Sequence, residues 1–315
     1  MRAMILSAGF GTRLRPATNH LPKPCFPILG KPLIVHIIEK LKNVGVHEIV
    51  INLHYLPDIV KETLEHHKVD GVTIHFSYEK DILGTAGGIK KVEHLLRGES
   101  FILHNGDIYS EVDLADAVRF HEQNSSAATM IVKVVDPTAG DTSAFIGIDD
   151  KSKITRFPYG ETASGDYARR ALFTGIHILE PTVFDYIPDG IFYGINDRVY
   201  PDMLADGHKA YGYVTDAYWH DIGKPADYIA LNARLLDGDA HIGSGTQIAD
   251  GCTIGPNAVI GTDCVIESGC RVNNSVIFDG VKLEKSVVVT DSIILKNCKI
   301  SALTEINNTI ITDNT

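Results

Sequence analysis

Arg2-Ala-Met-Ile-Leu-Ser-Ala-Gly9-Phe-Gly11-Thr12-Arg13-Leu14-Arg15-Pro16, with Leu21-Pro22-Lys23-Pro24 a few residues on, is the stretch around which this chain is organised. Ala3 to Ala8 is an apolar run of buried-strand length. It ends in a glycine-rich turn that carries a hydroxyl and two arginines. Glycine lets backbone N–H groups come close to an anion. Arg13 adds a planar fork of donors, and Lys23 adds a point charge held between two prolines. These are the groups that a nucleoside triphosphate needs beside its phosphates. Two standard glycine motifs do not fit the turn. A dinucleotide fingerprint would need glycine where Leu14 stands, and a P-loop would need Gly-Lys-Ser/Thr.

Outward from this turn, the first 135 residues alternate between strand and helix patterns. Strands are expected at His47 to Leu53, Val72 to Ser77, Phe101 to Asn105 and Ala127 to Val135. Helices are expected at Lys31 to Val44, Leu56 to His67, Thr85 to Leu96 and Leu114 to Gln123. Such alternation predicts a parallel sheet with helices on both faces. Ligands then bind beyond the carboxyl ends of strands, where Gly9 to Arg13 and Asn105 to Asp107 both fall. From about 136 to 236 the pattern is less regular. Strands are expected at Ala144 to Ile148, Ile154 to Phe157, Ala171 to Leu179 and Ala210 to Val214, with helices at Asn196 to Ala205 and Pro225 to Leu236.

Then the period changes. Ile242, Ile248, Ile254, Ile260, Ile266 and Val272 recur every six residues. Small residues, among them Cys252, Cys264 and Cys270, stand four places after these apolar positions. This is a hexapeptide repeat, the pattern of a parallel β-helix. Three hexapeptides make one coil, so Cys252 and Cys270 should stack, and packing is the expected use of the cysteines. The register slips after Val272 and resumes around Ile294, Ile300 and Ile306, giving roughly four coils in all. The chain thus divides into residues 1–236 and 237–315.

Ala8-Gly9-x-Gly11-Thr12-Arg13-Leu14 followed by Pro22-Lys23-Pro24 resembles the sugar-1-phosphate nucleotidylyltransferases, and the resemblance runs along the whole chain. It implies an α/β class, with a Rossmann-like α/β/α nucleotidyltransferase domain built on a mostly parallel sheet and then a short left-handed β-helix. It also implies transfer of a nucleotidyl group from a nucleoside triphosphate to a sugar 1-phosphate with Mg²⁺. Asn105-Gly106-Asp107 and Trp219-His220-Asp221-Ile222-Gly223 match the family's two metal-binding motifs, so Asp107 and Asp221 are carried over as the metal pair. Read from the residues alone, each aspartate could instead cap the element that follows it. Arg13 and Lys23 are carried over as catalytic cations. Leu6, Ala8, Gly9, Gly11, Thr12, Arg13, Lys23, Asn105 and Gly106 are carried over as nucleotide contacts. Glu79 to Gly88 resembles the base-recognition loop, adding Glu79, Gly84, Thr85 and Ala86. A Glu79 carboxylate could accept from guanine N1–H and N2–H₂, which leans towards GTP; a plain solvated charge is the other reading. Gly147 and Gly175 match the glycines placed against the sugar, and Asn196 and Asp197 are further candidates there. One departure stands out. The family's Glu-Lys-Pro, whose lysine holds the sugar phosphate, reads Arg156-Phe157-Pro158 here. Arg156, Arg169 and Arg170 all remain open as substitutes. Mannose 1-phosphate with GTP is the first expectation, and N-acetylmuramate 1-phosphate or glucose 1-phosphate with UTP the second.

Composition bounds these expectations. A net charge of −11 disfavours a general nucleic-acid or anionic-membrane binder without forbidding a local basic pocket. Five cysteines without Cys-x-x-Cys fit a reducing compartment. With no signal peptide and no apolar run of spanning length, a cytoplasmic protein is expected. A non-catalytic, nucleotide-sugar-binding relative should have lost Arg13, Lys23 or an aspartate, and all are present. A hexapeptide acyltransferase would need a catalytic histidine, and His241 is the only histidine beyond residue 220. The β-helix is therefore expected to serve homo-oligomerisation or regulation, and a monomer by light scattering would count against assembly.

Overall fold

The structure is a computed structural model and describes residues 1–136, 145–158 and 165–314. It folds as two compact units. One comprises Met1–Gly9, Ile37–Pro57 and His67–Trp219; the other comprises Phe10–His36, Asp58–His66 and His220–Thr315. The strands before the β-helix are β1 (Arg2–Leu6), β2 (Pro27–Ile28), β3 (Lys31–Pro32), β4 (Glu48–Leu53), β5 (Thr73–Tyr78), β6 (Phe101–Asn105), β7 (Ile108–Ser110), β8 (Ala128–Val134), β9 (Ile146–Ile148), β10 (Ile154–Arg156), β11 (Arg169–Leu179), β12 (Ala210–Val214) and β13 (Trp219–Asp221). The helices are α1 (Leu33–Lys42), α2 (Pro57–His66), α3 (Gly84–Lys91), α4 (Glu93–Leu96), α5 (Leu114–Gln123), α6 (Tyr200–Ala205) and α7 (Pro225–Leu236).

The first unit is a nine-stranded sheet in the order β10-β9-β11-β6-β1-β4-β5, with β8 on β11 and β12 on β8. Strands β6, β1, β4 and β5 run parallel, as the alternation predicts. The sheet becomes mixed at β11, which lies antiparallel to β6, β8 and β9. Parallel pairing needs a crossover of a dozen or more residues, usually helical. Among the described residues between β8 and β11 there is no helix, only β9 and β10 in hairpin-like succession. The core packs Met4, Phe101, Leu103, Met130, Val132 and Leu179 against Ile89, Leu96, Tyr200 and Met203. Apolar burial of this kind contributes on the order of 25 cal/mol per Å².

Three expected helices end or begin differently. The Lys31 to Val44 helix starts at Leu33, because β2 and β3 form a hairpin through Leu29 and Gly30, both at positive φ as a type I′ turn requires. Thr85 to Leu96 breaks at Val92 (φ −110°, ψ 19°) into α3 and α4. Asn196 to Ala205 opens as a π-helical turn, Ile195–Val199, before α6. Pro201 has no N–H for a regular helical bond at that point. The expected strand start at Ala144 lies outside the described residues.

In the second unit, residues 240–311 form three parallel sheets of five, four and four short strands, the three faces of a left-handed β-helix. The first coil pairs residues eighteen apart, Gln247 with Val265 and Thr253 with Arg271. Later coils pair residues seventeen apart, Val276 with Ile293 and Lys282 with Lys299. The slip after Val272 is thus one residue lost at one corner of each coil. The inward ladder continues without a gap through Ile277, Leu283 and Val289, all buried. Cys252 and Cys270 do lie beside one another, preceding the paired Thr253 and Arg271. Their thiols donate to the carbonyls of Glu267 and Glu284 at 3.1 and 3.0 Å. Burial pushes the Cys264, Cys270 and Cys298 thiols up, away from the reactive thiolate. Packing explains these cysteines.

Candidate active site

In the sheet unit, β1 and β6 deliver the motif residues to one edge. Leu6 pairs in register with Asn105 on one side and Asn52 on the other, and the Gly106 N–H donates to the Leu6 carbonyl at 2.8 Å. Beyond β1, Ser7 and Ala8 are buried, while no described atom stands within 4 Å of where a Cβ on Gly9 would be. Asp107 is half-buried. Asn105 lies under the bulge in β11 between Phe173 and His177. Gly175 makes that bulge at φ +82°, and a Cβ there would stand 2.7 Å from Asn105 Nδ2 and 2.2 Å from Ile108 Cδ1. The Trp219 indole N–H donates to the Thr174 carbonyl at 2.6 Å, next to this bulge. The tryptophan of the second motif thereby fixes the backbone that crowds Asn105.

Glu79 is not the solvated charge that was one of its two readings. It is 1% exposed, and both carboxylate oxygens have partners. Oε1 accepts from Asn52 Nδ2 at 2.8 Å and Oε2 accepts from the Leu83 N–H at 3.0 Å. Asn52 in turn accepts from the Ser7 N–H at 2.7 Å. One buried chain, Ser7–Asn52–Glu79–Leu83, ties the strand ahead of the glycine turn to the loop ahead of α3. Gly84 has its missing Cβ filled by the Tyr193 carbonyl, 2.7 Å from where that atom would be. Thr85 Oγ1 accepts from the Ile195 N–H at 2.9 Å, and the Ala86 N–H donates to the Tyr193 carbonyl at 3.0 Å. This shapes the loop by packing it on residues 191–195. Asn196 follows with a buried Oδ1 that has no hydrogen-bond partner among the described residues, and Asp197 is exposed.

Gly147 on β9 has Arg156 of β10 opposite it on one side and Arg170 of β11 on the other. The third arginine, Arg169, turns instead to the Asp149 carbonyl at 3.3 Å and Ser152 Oγ at 3.1 Å. Phe157, at the family's lysine position, is 1% exposed and stacked on Tyr200.

The second unit brings together Gly11, Thr12, Arg13, Lys23 and Asp221. Gly11 starts a 3₁₀ turn over Thr12–Leu14. A Cβ on Gly11 would stand 2.9 Å from Thr18 Cγ2 and 3.2 Å from Lys23 Cγ, so the turn lies directly on the Lys23 stem. Thr18 Oγ1 donates to the Gly11 carbonyl at 2.9 Å. Lys23 is 9% exposed. Arg13 Nη2 lies 3.8 Å from Asp221 Oδ2. Gly223 leaves the space for that approach, since its Cβ would stand 3.0 Å from both Arg13 Nη1 and Asp221 Oδ2. The stem after Lys23 is held from α7. Tyr228 OH donates to the Pro27 carbonyl at 2.5 Å, and Asn232 Oδ1 accepts from the Leu29 N–H at 3.0 Å. Among the described residues there is no group of three or more His, Cys, Asp or Glu side chains that could hold a metal.

Sequence reasoning missed Asn52, Thr18 and Asn232. Asn52 carried a signal, an amide at the end of the apolar run Glu48-Ile-Val-Ile-Asn-Leu53. A polar side chain buried there has to find partners.

A strand-edge motif, a phosphate-type loop and a β-helix define a nucleotide-handling enzyme. Comparison with known proteins narrows the class. The nucleotidyl transferase family model matches residues 2–238, and a GMPPB C-terminal domain model matches residues 236–315. Mannose-1-phosphate guanylyltransferase of Mycobacterium tuberculosis is 32% identical over 301 residues, 91% of this chain and 82% of that protein. UTP–glucose-1-phosphate uridylyltransferase of Synechocystis is 31% identical over 338 residues, 93% of this chain and 87% of that protein. The crystal structure of HddC from Yersinia pseudotuberculosis, known also complexed with GMP-PN, matches with a TM-score of 0.60 at 26% identity, over 74% of this chain and 99% of HddC. The chain belongs to the nucleotidyl transferase family, among its sugar-1-phosphate nucleotidylyltransferases. Among the described residues no helix is long and apolar enough to cross a membrane.

Proposed function

We propose that this enzyme transfers GMP from GTP to mannose 1-phosphate, releasing pyrophosphate, with Mg²⁺ as the divalent ion. The observation that carries the reading is the complete set of Arg13, Lys23, Asp107 and Asp221 in a chain whose relatives include mannose-1-phosphate guanylyltransferases. Part-exposed Asp107 and Asp221 are hard oxygen donors and would hold the metal; when bound, it lowers the repulsion between two phosphate anions. Lys23, with its stem packed on the Gly11 turn, neutralises the α-phosphate region. Arg13 takes the departing pyrophosphate. The substrate phosphate is already ionised, so no protein nucleophile is needed, and the chain's work is positioning and electrostatics. Leu6, Ala8, Gly9, Thr12 and Gly106 line the nucleotide. Glu79 acts on the base through the shape of the loop from Gly84 to Ala86. Gly175, Asn196 and Asp197 face the sugar. Five free cysteines support a reducing, cytoplasmic setting, and exposed Ile242, Val265 and Leu303 support self-association through the β-helix.

A release assay for pyrophosphate, four triphosphates against several sugar phosphates, tests the substrate assignment. Asp107→Asn should lower turnover at least about 100-fold, the worth of one preorganised charge contact. Near-normal turnover in that variant would remove Asp107 from the metal site. A second reading, UTP with glucose 1-phosphate, is supported by the Synechocystis relative, and the same screen separates the two.

A further inference from the structure

We propose that Phe192 is an aromatic platform for the nucleobase of the triphosphate; this rests on the transferase reading above, in which the loop from Gly84 to Ala86 meets the base. The argument starts from exposure. Phe192 is 69% exposed and its neighbour Ile191 is 50% exposed. The chain that follows them is nevertheless held. The Tyr193 N–H donates to the Leu83 carbonyl at 2.8 Å. The Tyr193 carbonyl accepts from the N–H groups of Ala86 at 3.0 Å and Gly87 at 3.3 Å. Two residues on, the Ile195 N–H donates to Thr85 Oγ1 at 2.9 Å. These bonds fasten residues 193–195 across the first turn of α3.

Glycine makes that seat possible. A Cβ on Gly84 would stand 2.7 Å from the Tyr193 carbonyl oxygen, and one on Gly87 would run into the Ile191 carbonyl. Gly84 also takes φ +72°, a conformation that a residue with a side chain rarely adopts. The glycines of this loop are therefore used to bring the 191–195 segment close. Phe192 is carried on a seated backbone, and its ring is left in water. The ring has a defined neighbour: Phe192 Cε2 is 3.2 Å from where a Cβ on Gly84 would be, so its edge lies against the first residue of the base loop.

Single exposed hydrophobic residues are common on protein surfaces and need no function. Phe192 differs from those in its place. It is fixed beside a loop that a base has to reach, and a large apolar side chain gains by leaving water. Every base has a flat π face, and aromatic rings act as stacking platforms for such faces. A ring held at Gly84 covers a base whose edge meets Gly84 to Ala86. The loop then supplies the polar contacts and Phe192 the apolar one.

Calorimetry and steady-state kinetics on the full chain test the platform, with GTP as the probe, or UTP if the screen above selects it. Phe192→Ala should weaken binding of the triphosphate roughly 5- to 150-fold, the size of one base–aromatic stack. KM for the sugar 1-phosphate should stay within about twofold, which also shows that the variant is folded. Phe192→Tyr should keep the affinity, whereas Phe192→Leu, apolar but without a π face, should recover only a small part of the loss. Unchanged triphosphate affinity in Phe192→Ala would overturn the platform and leave the transferase reading standing. A raised KM for the sugar 1-phosphate with triphosphate affinity intact would also overturn it, by assigning the ring to the sugar. Full affinity in Phe192→Leu would overturn the stacking, since apolar cover alone would then suffice. No binding or turnover of any triphosphate by the unaltered protein would overturn both readings.

Discussion

The buried chain from Ser7 through Asn52 and Glu79 to Leu83 makes a quantitative demand on its members. Asn52→Asp keeps the acceptor for the Ser7 N–H but puts a second carboxylate where Asn52 Nδ2 meets Glu79 Oε1 at 2.8 Å. Two full charges at that distance repel by about 6 kcal/mol at an effective dielectric constant of roughly 20. Repulsion of that size drives the pair to take up a proton on folding, so the folded variant binds more protons than its unfolded chain. The sign follows: relative to the natural protein, the variant should be least stable above neutral pH and should recover as the pH falls. The slope of that difference is about 1.4 kcal/mol per pH unit, for one proton. Recovery should be complete near pH 4, where carboxyls of the unfolded chain are themselves about half protonated. Urea titrations between neutrality and mild acid read this out. Glu79→Gln added to Asn52→Asp swaps amide and carboxylate across the same hydrogen bond. The swap still offers an acceptor to Ser7 and to Leu83, so it should restore most of the stability and abolish the pH slope. A destabilisation that does not change with pH, or that the swap leaves in place, would refute the view that these two side chains share one buried hydrogen bond. Triphosphate affinity should follow stability through the series, because the chain shapes the loop before α3.

Burial pushes His104 down to about 4 and His177 to about 3, so both are neutral in the fold. Below about pH 6.5 the unfolded chain takes up protons that the folded chain refuses, so stability falls with acid. His177→Gln should remove one such proton, about 1.4 kcal/mol per pH unit of the slope near pH 5, and an identical slope in denaturant titrations would contradict its burial. Gly175→Ala should cost roughly 2–5 kcal/mol, from about 1–2 for a side chain in the left-handed region and about 1–3 for overpacking against Ile108 and Asn105. An unchanged melting temperature would mean that the bulge in β11 gives way without loss.

The opening motif was legible because its constraints are local. A short apolar strand, a glycine turn, an arginine and a proline-flanked lysine are consecutive residues, and the turn does close onto the Lys23 stem. The parallel half of the sheet was legible for the same reason, since helix and strand periods alternate over short stretches. The antiparallel half was not. Whether β11 runs up or down depends on what joins it to β8, and no periodicity within β11 records that. Glu79 could not be judged from sequence either. Its burial and its partner Asn52 are long-range facts, set by β4 lying beside β1 and β5. The different surroundings of Arg169 and Arg170 likewise need register to be seen. Arg169 and Arg170 are adjacent and chemically identical, yet they point to opposite faces of β11.

The β-helix was legible from its hexapeptide period, and its later coils carry a second signal at a different period. Asn274-Ser275, Asp291-Ser292 and Asn308-Thr309 repeat every seventeen residues. Asn274, Asp291 and Asn308 all take positive φ, which short amide and carboxylate side chains tolerate. The two following serines each accept from the backbone of the next coil, Ser275 Oγ from the Ser292 N–H at 3.1 Å and Ser292 Oγ from the Thr309 N–H at 3.2 Å. This ladder closes the corner with one residue fewer than the first coil uses at Gly255-Pro256-Asn257. The shortened coil keeps Ile277, Leu283 and Val289 facing inward, and on that ladder Phe278 is carried to the edge of Phe26 at 5.9 Å, beside Tyr228. Phe26 follows Lys23 by three residues, and its N–H donates to the Lys23 carbonyl at 3.0 Å. The coil geometry therefore reaches the base of the phosphate loop through packed rings. A cut at residue 236 would pass through a shared core rather than a linker, which is why the second compact unit contains both the loop and the β-helix.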